Sequence, residues 1–453
     1  MFETIVNAFK TKEIRNKIWL TLLMLFVYRI GCYIPIPGLN AEAVRETFNQ
    51  AGDFLGILSM ITGGSLSQAT LFSLGILPFI NAFIIMQLLT LVIPALERLS
   101  KEGEEGRNKL TQITRYFAIG LALIQSIGIV VGMHSANATS AISGIFTFEA
   151  GWKHPYFTMA GIIIILVAGS MMCMWLSERI TEYGIGNGTS LIIFVGIIAT
   201  AGTTMTDAIG FVAEDPENNW VYIWNILGFI LIVVGIFFFI VFMDLSERRI
   251  TVQYSKQIKG NKMYGGQTTY IPIRVNGSGV MPMIFASSLL TFPQMIITLF
   301  APGSEADIWY AQWLGSTSKT GIYYIVMVIL IIFFAYFYAQ IQFNPDDVSR
   351  NIQQYGGFIP GIRAGKPTSD FLRKISNRIT LFGAIFLAII ALVPTFIFNA
   401  LSGPGSTAVR PGSLELGGAL SATGLLIVVS TALEINKQLE SQIMMRHYKG
   451  FLK

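Results

Sequence analysis

The feature that most constrains this chain is a series of ten apolar runs, each roughly twenty residues long, the length of helix that crosses a bilayer. The runs cover about residues 18–33, 71–95, 113–133, 155–176, 189–208, 220–243, 279–302, 320–342, 379–401 and 418–433. Of the 453 residues, 13% are charged, whereas soluble domains carry roughly 25%. The pattern predicts an all-α polytopic membrane protein with ten transmembrane helices.

Lysine and arginine residues concentrate in alternate segments between the runs. Of the 31 such residues, 26 lie in the N-terminal segment 1–17, in the loops after the even-numbered spans, and in the tail 434–453. Because basic loops stay in the cytoplasm, both termini are predicted to be cytoplasmic. The longest basic loops cover about residues 244–277 and 344–376.

Five spans fall in each half of the chain, residues 18–208 and 209–433. An odd number of spans in each half requires that the second half is inverted relative to the first, an arrangement typical of transport proteins. The two halves show no convincing sequence similarity, so this inference depends on topology alone.

The spans are almost free of ionisable residues. Arg29, late in the first span, is the only acidic or basic residue well inside a span, and we interpret it as snorkelling or neutralising helix ends. An ion-coupled transporter commonly places an acidic residue near the midplane, so this inventory counts against one. Cys32 and Cys173 are far apart and predict buried apolar thiols, and three histidines are too few for a ligand cluster. No cofactor or metal is predicted.

A short apolar stub precedes the second span. Residues 54–62 would form a helix only about 14 Å long, less than half of the membrane core, and the polar, glycine-rich segment 63–68 follows. Irregular backbone at that depth must be buried in protein or face a watery cavity. The sequence alone leaves two interpretations, a re-entrant half-helix or an interfacial stub packed on the outer surface.

Uncharged polar residues lie inside the second, third and seventh spans. They are Asn81, Gln87, Gln125, Ser126, Ser287, Ser288 and Thr291. They predict either interhelical hydrogen bonds or a wettable seam that can come apart, and the residues alone do not decide between these.

The segment "GIGNGTS", residues 184–190, has the glycines of a phosphate-binding loop. It lacks the lysine and the preceding strand that such a loop needs. We therefore predict a tight turn in which Asn187 or Thr189 caps the fifth span. With no nucleotide site, energy for any transport must come from a partner.

Five stretches closely resemble the SecY family of protein-conducting channels. They are "YRIGCYIPIPG" (28–38), "GGSLSQATLFSLGILPFINAFIIMQLLT" (63–90), "WLSERITEYGIGNGTSLIIF" (175–194), "YIPIRVNGSGVMPMIFASSLLTFP" (270–293) and "FNPDDVSRNIQQYGGFIPGIRAGKPT" (343–368). The similarity runs in order over essentially the whole chain. It implies ten helices in two pseudo-symmetric inverted halves around an hourglass pore in the bacterial cytoplasmic (inner) membrane.

The resemblance also implies a plug and a pore ring. The plug is a half-helix over about 54–68, with Phe54, Leu55, Ile57, Leu58, Met60, Ile61, Gly63, Gly64 and Ser65. The ring of aliphatic residues at the waist of the pore falls on Ile76, Ile80, Ile193, Ile284 and Ile427. Such a ring gates water and ions by dewetting and offers no charge that would select particular cargo side chains.

A lateral gate is implied between spans two and three and spans seven and eight, through which signal sequences and membrane anchors leave into lipid. Asn81, Gln87, Gln125, Ser288 and Thr291 fall on those spans. An entering apolar helix would replace the packing of the gate.

The implied partners include the ribosome, the motor ATPase SecA, unfolded preproteins and membrane lipids, with the small subunits SecE clamping the halves and SecG at the periphery. The basic loops would bind the ribosome and SecA through Arg248, Arg249, Lys256, Arg363 and Lys366. Ala364 stands where family members often have proline. Apart from the resemblance, the same charges are topology determinants and contacts to lipid headgroups.

Three functions are compatible with a chain of this class. They are a passive protein-conducting channel that is not itself an enzyme, a secondary transporter for a small solute, and a scaffold or insertase without a through-pore. The uncharged spans disfavour the transporter, and the implied ring and plug disfavour the scaffold.

Overall fold

The computed structural model describes residues 8–44, 62–139, 146, 155–214, 221–254, 257–259, 262–264, 268–277, 279–300, 304–315, 321–401 and 422–450. Within them we number thirteen helices and five strands. The helices are α1 (Lys12–Gly31), α2 (Leu77–Val92), α3 (Pro94–Lys101), α4 (Glu104–Thr139), α5 (Pro155–Tyr183), α6 (Gly188–Glu214), α7 (Val221–Leu245), α8 (Met281–Phe300), α9 (Glu305–Trp313), α10 (Ile322–Gln342), α11 (Pro345–Gln354), α12 (Lys366–Leu401) and α13 (Ala422–Gly450). The strands are β1 (Glu247–Tyr254), β2 (Gln257–Lys259), β3 (Lys262–Tyr264), β4 (Thr268–Arg274) and β5 (Gly357–Phe358).

Each of the ten predicted spans contains a helix, and these are α1, α2, α4, α5, α6, α7, α8, α10, α12 and α13. By length and composition, four stretches can cross a membrane, namely Glu104–Val131, Tyr156–Tyr183, Ile322–Gln354 and Lys366–Val393. The bent pair Leu77–Thr90 and Pro94–Lys101 makes a fifth if it is counted as one span. The chain is a multi-pass membrane protein, and the count of ten spans stays a prediction.

The second span differs from its predicted limits of 71–95. Residues 62–76 form consecutive turns, and the helix begins only at Leu77. At its other end the chain bends by 100° between α2 and α3. The bend follows from Pro94, because a proline disfavours helical backbone at the preceding residue, and Ile93 is extended with φ −97° and ψ 111°.

The helices bury one face and expose another apolar face. The largest buried cluster contains Tyr28 stacked on Phe72, with ring centroids 5.7 Å apart, together with Ile192 and Phe334. Outward-facing residues are also apolar, for example Phe238, which is 68% exposed. A soluble protein rarely exposes so much contiguous apolar surface, whereas lipid tails solvate it. Cys32 and Cys173 are buried free thiols, as predicted.

A small antiparallel sheet, which the sequence analysis did not predict, joins the two basic loops. Its strand order is β4-β1-β5, and β2 pairs with β3 in a separate hairpin. The inward side chains of β1, Ile250 and Val252, pack against Leu372 of α12. The loops at 244–277 and 344–376 therefore form one structural unit, which we call the sheet unit.

Candidate functional site

The five predicted pore-ring isoleucines belong to one contiguous apolar cluster. Ile76 is the N-cap residue of α2 and Ile80 lies one turn further along, while Ile193, Ile284 and Ile427 lie on α6, α8 and α13. Four of the five are no more than 6% exposed, and Ile284 is partly buried against the same cluster. The fold thus brings together aliphatic residues from four helices that are far apart in the sequence.

The fully buried polar side chains of the helix bundle are uncharged. Among the residues that the structure describes, every buried polar side chain is a serine, threonine, asparagine or glutamine, and none is acidic or basic. The same residues contain no group of histidines, cysteines and carboxylates that could hold a metal ion. An aliphatic constriction of this kind can exclude water and ions, but it offers no ligand for a small cation.

The predicted plug lies mostly outside the described residues, which omit Phe54, Leu55, Ile57, Leu58, Met60 and Ile61. Its last part is described. Gly63 and Gly64 have φ values of +70° and +81°, a backbone region that favours glycine. The carbonyl of Ser65 accepts hydrogen bonds from the hydroxyls of Thr70 and Ser73, both 3.1 Å long. These bonds tie the end of the predicted plug to the turns that lead into α2.

Two other helices contact the same segment. The Arg29 guanidinium of α1 donates to the Gly63 carbonyl over 3.3 Å and to the Tyr33 hydroxyl over 3.3 Å. In addition, a Cβ on Gly63 would lie 2.8 Å from the Cα of Gly196 in α6. Arg29 therefore donates a hydrogen bond to a backbone carbonyl of the predicted plug. Its position late in a span did not indicate this partner.

The predicted gate residues lie on three helices. Asn81 and Gln87 lie on α2, Gln125 lies buried on α4, and Ser288 and Thr291 lie on α8, although the side chain of Thr291 is not described. Helix α4 contacts both α2 and α8. The side-chain oxygens of Asn81 and Gln87 are buried and accept no hydrogen bond from any described residue. Interhelical hydrogen bonds, the first of the two interpretations, therefore do not account for these two oxygens.

Two predicted partner-binding arginines are exposed near the start of β1. Arg249 donates to the Glu247 carboxylate over 2.8 Å, and its guanidinium lies 4.9 Å from the centroid of the Tyr270 ring on β4. Arg248 is exposed beside it, and Lys256 lies outside the described residues. Because β5 pairs with β1, the segment that carries Arg363 belongs to the same sheet unit.

Arg363 has an exposed side chain on an anchored backbone. The buried hydroxyl of Thr368 donates to its carbonyl over 2.8 Å, and the buried hydroxyl of Ser349 donates to the carbonyl of Gly365 over 2.7 Å. Lys366 is exposed at the start of α12. The loop thus presents two basic side chains to solvent on a backbone that is held by hydrogen bonds.

A polar contact between α11 and α12 fixes this loop further. Asp346 accepts hydrogen bonds from the Ser369 hydroxyl and, over 2.9 Å, from the Arg373 guanidinium. The hydrogen bond from Ser369 lowers the pKa of the Asp346 carboxyl, and the charges of Arg373 and Arg350 lower it further. Asp346 is therefore an ionised carboxylate at neutral pH.

The segment 184–190 is the predicted turn. The Asn187 side chain accepts from the Thr189 N–H over 3.0 Å and caps α6, as predicted. The N–H groups of Ile185, Gly186 and Gly188 donate to side chains of Thr21, Gln438 and Thr181. These backbone donors are already bound by three helices, so they do not form a cradle for a phosphate.

Sequence reasoning missed two residues, Gly196 and Asp244. Gly196 carries no signal in the sequence, because its role depends on the close approach of Gly63 from a distant segment. Asp244 was assigned only to the start of a loop, although it accepts two hydrogen bonds from other elements. An acidic residue at the end of a span, in an otherwise basic loop, was the available signal.

Comparison with known proteins identifies the family. The family model described as SecY matches residues 70–436. The "Protein translocase subunit SecY" of Streptomyces coelicolor is 42% identical over 461 residues, with both chains covered completely. The protein of the same description from Mycobacterium tuberculosis H37Rv is 39% identical over 466 residues, again with full coverage.

Solved structures show the same fold. A structure described as "The structure of a protein conducting channel" superposes with a TM-score of 0.64 at 21% identity, covering 94% of this chain and 91% of the other. A second, "Sec61 in the Canine ribosome-channel complex from the endoplasmic reticulum", gives a TM-score of 0.60 at 20% identity with the same coverage. The matched family model, the full-length relatives and the shared fold together show that the chain belongs to the SecY family.

Proposed function

We propose that this chain is the central subunit of a protein-conducting channel in the bacterial cytoplasmic membrane, with both termini in the cytoplasm. It passes unfolded secretory polypeptides across the membrane and releases transmembrane segments sideways into lipid. The channel is passive, and SecA or the translating ribosome drives it. The two full-length relatives described as translocase subunits support this assignment.

One observation carries the proposal, the meeting of Ile76, Ile80, Ile193, Ile284 and Ile427 in a single apolar cluster. Four separate helices supply these residues, so small movements of the helices can widen or narrow the collar. Aliphatic side chains adapt to any polypeptide, since they make no directional bonds. An ion-coupled carrier needs the opposite, fixed polar ligands near the midplane.

The sideways exit is proposed between α2 and α4 on one side and α8 and α10 on the other. The buried oxygens of Asn81 and Gln87, which accept no hydrogen bond within the described part of the chain, support it. A buried acceptor without a donor weakens a closed interface by about 1–3 kcal/mol. An apolar signal helix that separates these helices would let water or lipid headgroups reach the oxygens.

The sheet unit is proposed as the docking site for SecA and the ribosome. Exposed Arg248, Arg249, Arg363 and Lys366 support this, since guanidinium groups bind RNA phosphate and carboxylates well. We expect Arg363→Glu to impair export while the protein still inserts into the membrane. Arg378→Glu, at an exposed arginine of α12, is the matched control. Normal export by the Arg363→Glu protein would remove Arg363 from the site.

The proposed channel is tested by crosslinking. A photoreactive residue replaces Ile80 or Ile284, and a second variant carries it at Ile164, which is 68% exposed on α5. With a stalled export substrate, the first two should crosslink to the cargo chain and the third should crosslink to lipid. If a trapped cargo never reaches Ile80 or Ile284, the channel assignment is wrong. Accumulation of a small solute by the reconstituted protein would favour the transporter instead.

The plug is tested separately by deleting residues 54–68. A channel without its plug should leak ions in planar bilayers, whereas an interfacial stub on the outer surface should leave the conductance unchanged.

A further inference from the structure

One carboxylate joins three elements at the base of the sheet unit. Asp244, the penultimate residue of α7, accepts a hydrogen bond from the Asn276 side-chain amide at Oδ1 and from the Ser430 hydroxyl at Oδ2, both 2.6 Å long. Bonds to an ionised acceptor are shorter and roughly twice as strong as neutral ones. The side chain therefore binds α7 to the turn before α8 and to α13.

This carboxylate lies where the sheet meets the helices. Strand β1 begins at Glu247, three residues after Asp244, and β4 ends at Arg274, two residues before Asn276. The Val275 N–H donates to the Ser246 carbonyl over 3.0 Å, which closes the base of the β1–β4 pair. The two long strands of the sheet therefore leave the helix bundle from the same point.

One partner of this carboxylate, Ser430, lies one helical turn from the pore-ring residue Ile427. Ser430 follows Ile427 by three residues on α13, so the two side chains share a face. Asn276 precedes α8, which carries Ile284. Asp244 thus contacts the helix that holds Ile427 and the turn that leads into the helix that holds Ile284.

Close packing limits independent movement of the turn. Asn276 is 6% exposed. A Cβ on Gly383 of α12 would lie 2.4 Å from the Val275 carbonyl oxygen, so α12 packs directly against the backbone of the turn. A displacement of the sheet must therefore move this turn as a body.

Arg274, next to this turn, also acts on charged side chains of α13 that lie on the same face as Ser430. Burial raises the pKa of the Glu434 carboxyl, and the Arg274 guanidinium opposes that shift. Burial also lowers the pKa of the Lys437 amine, and Arg274 lowers it further. Arg274, at the end of β4, is thus close enough to both side chains to act on them.

We propose that Asp244 is a positioning residue that couples the sheet unit to the pore-ring helices α8 and α13. A partner that binds the sheet unit shifts its base, and the hydrogen bonds to Asn276 and Ser430 carry that shift to Ile284 and Ile427. This inference rests on the proposed function. It places the step between partner binding and pore opening on Asp244, which is not one of the basic residues of the proposed docking surface.

The experiment separates binding from opening. Asp244→Asn and Ser430→Ala proteins are reconstituted, and two quantities are measured: the Kd for SecA and the rate of preprotein transport per bound SecA. We expect an unchanged Kd and a transport rate about tenfold lower, the change given by loss of one charge-assisted hydrogen bond. Ser441→Ala, an exposed position on α13, and Glu104→Gln, an exposed position on α4, are the matched controls. Asp244→Glu should restore part of the rate.

A fluorescent probe at Ile284→Cys gives a second readout, since it reports on the ring and not on export. Its signal should change when SecA is added to the otherwise unaltered protein and stay constant in the Ser430→Ala background. If both variants transport at the normal rate per bound SecA, or if the Kd for SecA rises as much as transport falls, the inference is wrong. If the unaltered protein itself carries no preprotein, the proposed function is wrong instead.

Discussion

The guanidinium of Arg29 donates a hydrogen bond of 3.3 Å to the carbonyl oxygen of Gly63, and so connects α1 to the end of the predicted plug. Gly63 also lies against Gly196 of α6. The segment therefore contacts both the first and the fifth predicted spans. Whatever displaces the plug must break this bond or move one of these helices.

Removal of the guanidinium should loosen the plug. We expect Arg29→Ala to raise the ion leak of the idle, reconstituted channel several-fold, because the Gly63 carbonyl loses a charged donor worth about 1.5–3 kcal/mol at full strength. Arg29→Lys should leak less than Arg29→Ala, since an ammonium can still donate to the carbonyl. Arg98→Ala, at a basic residue of α3, is the control. An Arg29→Ala channel as tight as the control would show that the bond does not hold the plug.

Two neighbouring glycines allow strain and packing to be separated. Gly63 and Gly64 both have positive φ values, but only Gly63 has Gly196 against it, since nothing lies within 4 Å of a Cβ on Gly64. Gly64→Ala should cost about 1–2 kcal/mol of backbone strain. Gly63→Ala should cost more, because the new methyl group also pushes against α6. Thermal unfolding in detergent measures both, and equal midpoints for the two variants would contradict the predicted contact.

A polar group in the ring should make the closed channel conduct. Ile193 on α6 is 3% exposed within the apolar cluster, so Ile193→Asn places an amide where water must be excluded. We expect ion conductance without cargo in planar bilayers. Ile198→Asn, five residues further along the same helix at a position that is 48% exposed, should stay closed. Equal conductance would mean that an asparagine has the same effect inside the apolar cluster and outside it. Ile193 would then not be part of the constriction.

Acid should weaken the loop that carries Arg363. The pKa of Asp346 is lowered in the folded protein, so its ionised form adds stability at pH values above the unfolded pKa, and this contribution is lost as the pH falls through the folded value. We therefore expect Asp346→Asn to increase hydrogen exchange of α11 and the start of α12 at pH 7. The difference should shrink below about pH 4, where the carboxyl of the unaltered protein also becomes protonated. Asp370→Asn, at an exposed position on α12, controls for the loss of charge. A difference that stays constant with pH would exclude the ionised carboxylate as its cause.

Local chemistry was sufficient to predict the helices and some of their ends. Apolar runs of span length mark where a helix lies, because a membrane requires every backbone group of a crossing segment to be bonded within it. Asn187 could be predicted as the cap of α6 because a cap involves only residues next to each other in the chain. The bend after α2 likewise follows from Pro94 alone. The sheet escaped prediction because β1 and β4 lie in loops rich in charged and polar residues, and because β5 is only two residues long.

The sequence by itself determined that this is a helical membrane protein with aliphatic residues inside several spans, since hydropathy is a property of each segment. Only the tertiary structure decided that Ile80, Ile193 and Ile427 share one cluster, because they lie on helices whose contacts no local pattern encodes. The same is true of the Asp244 bonds to Asn276 and Ser430. Hydrogen bonds and close packing act over a few ångströms, so they depend on which distant segments the fold brings together.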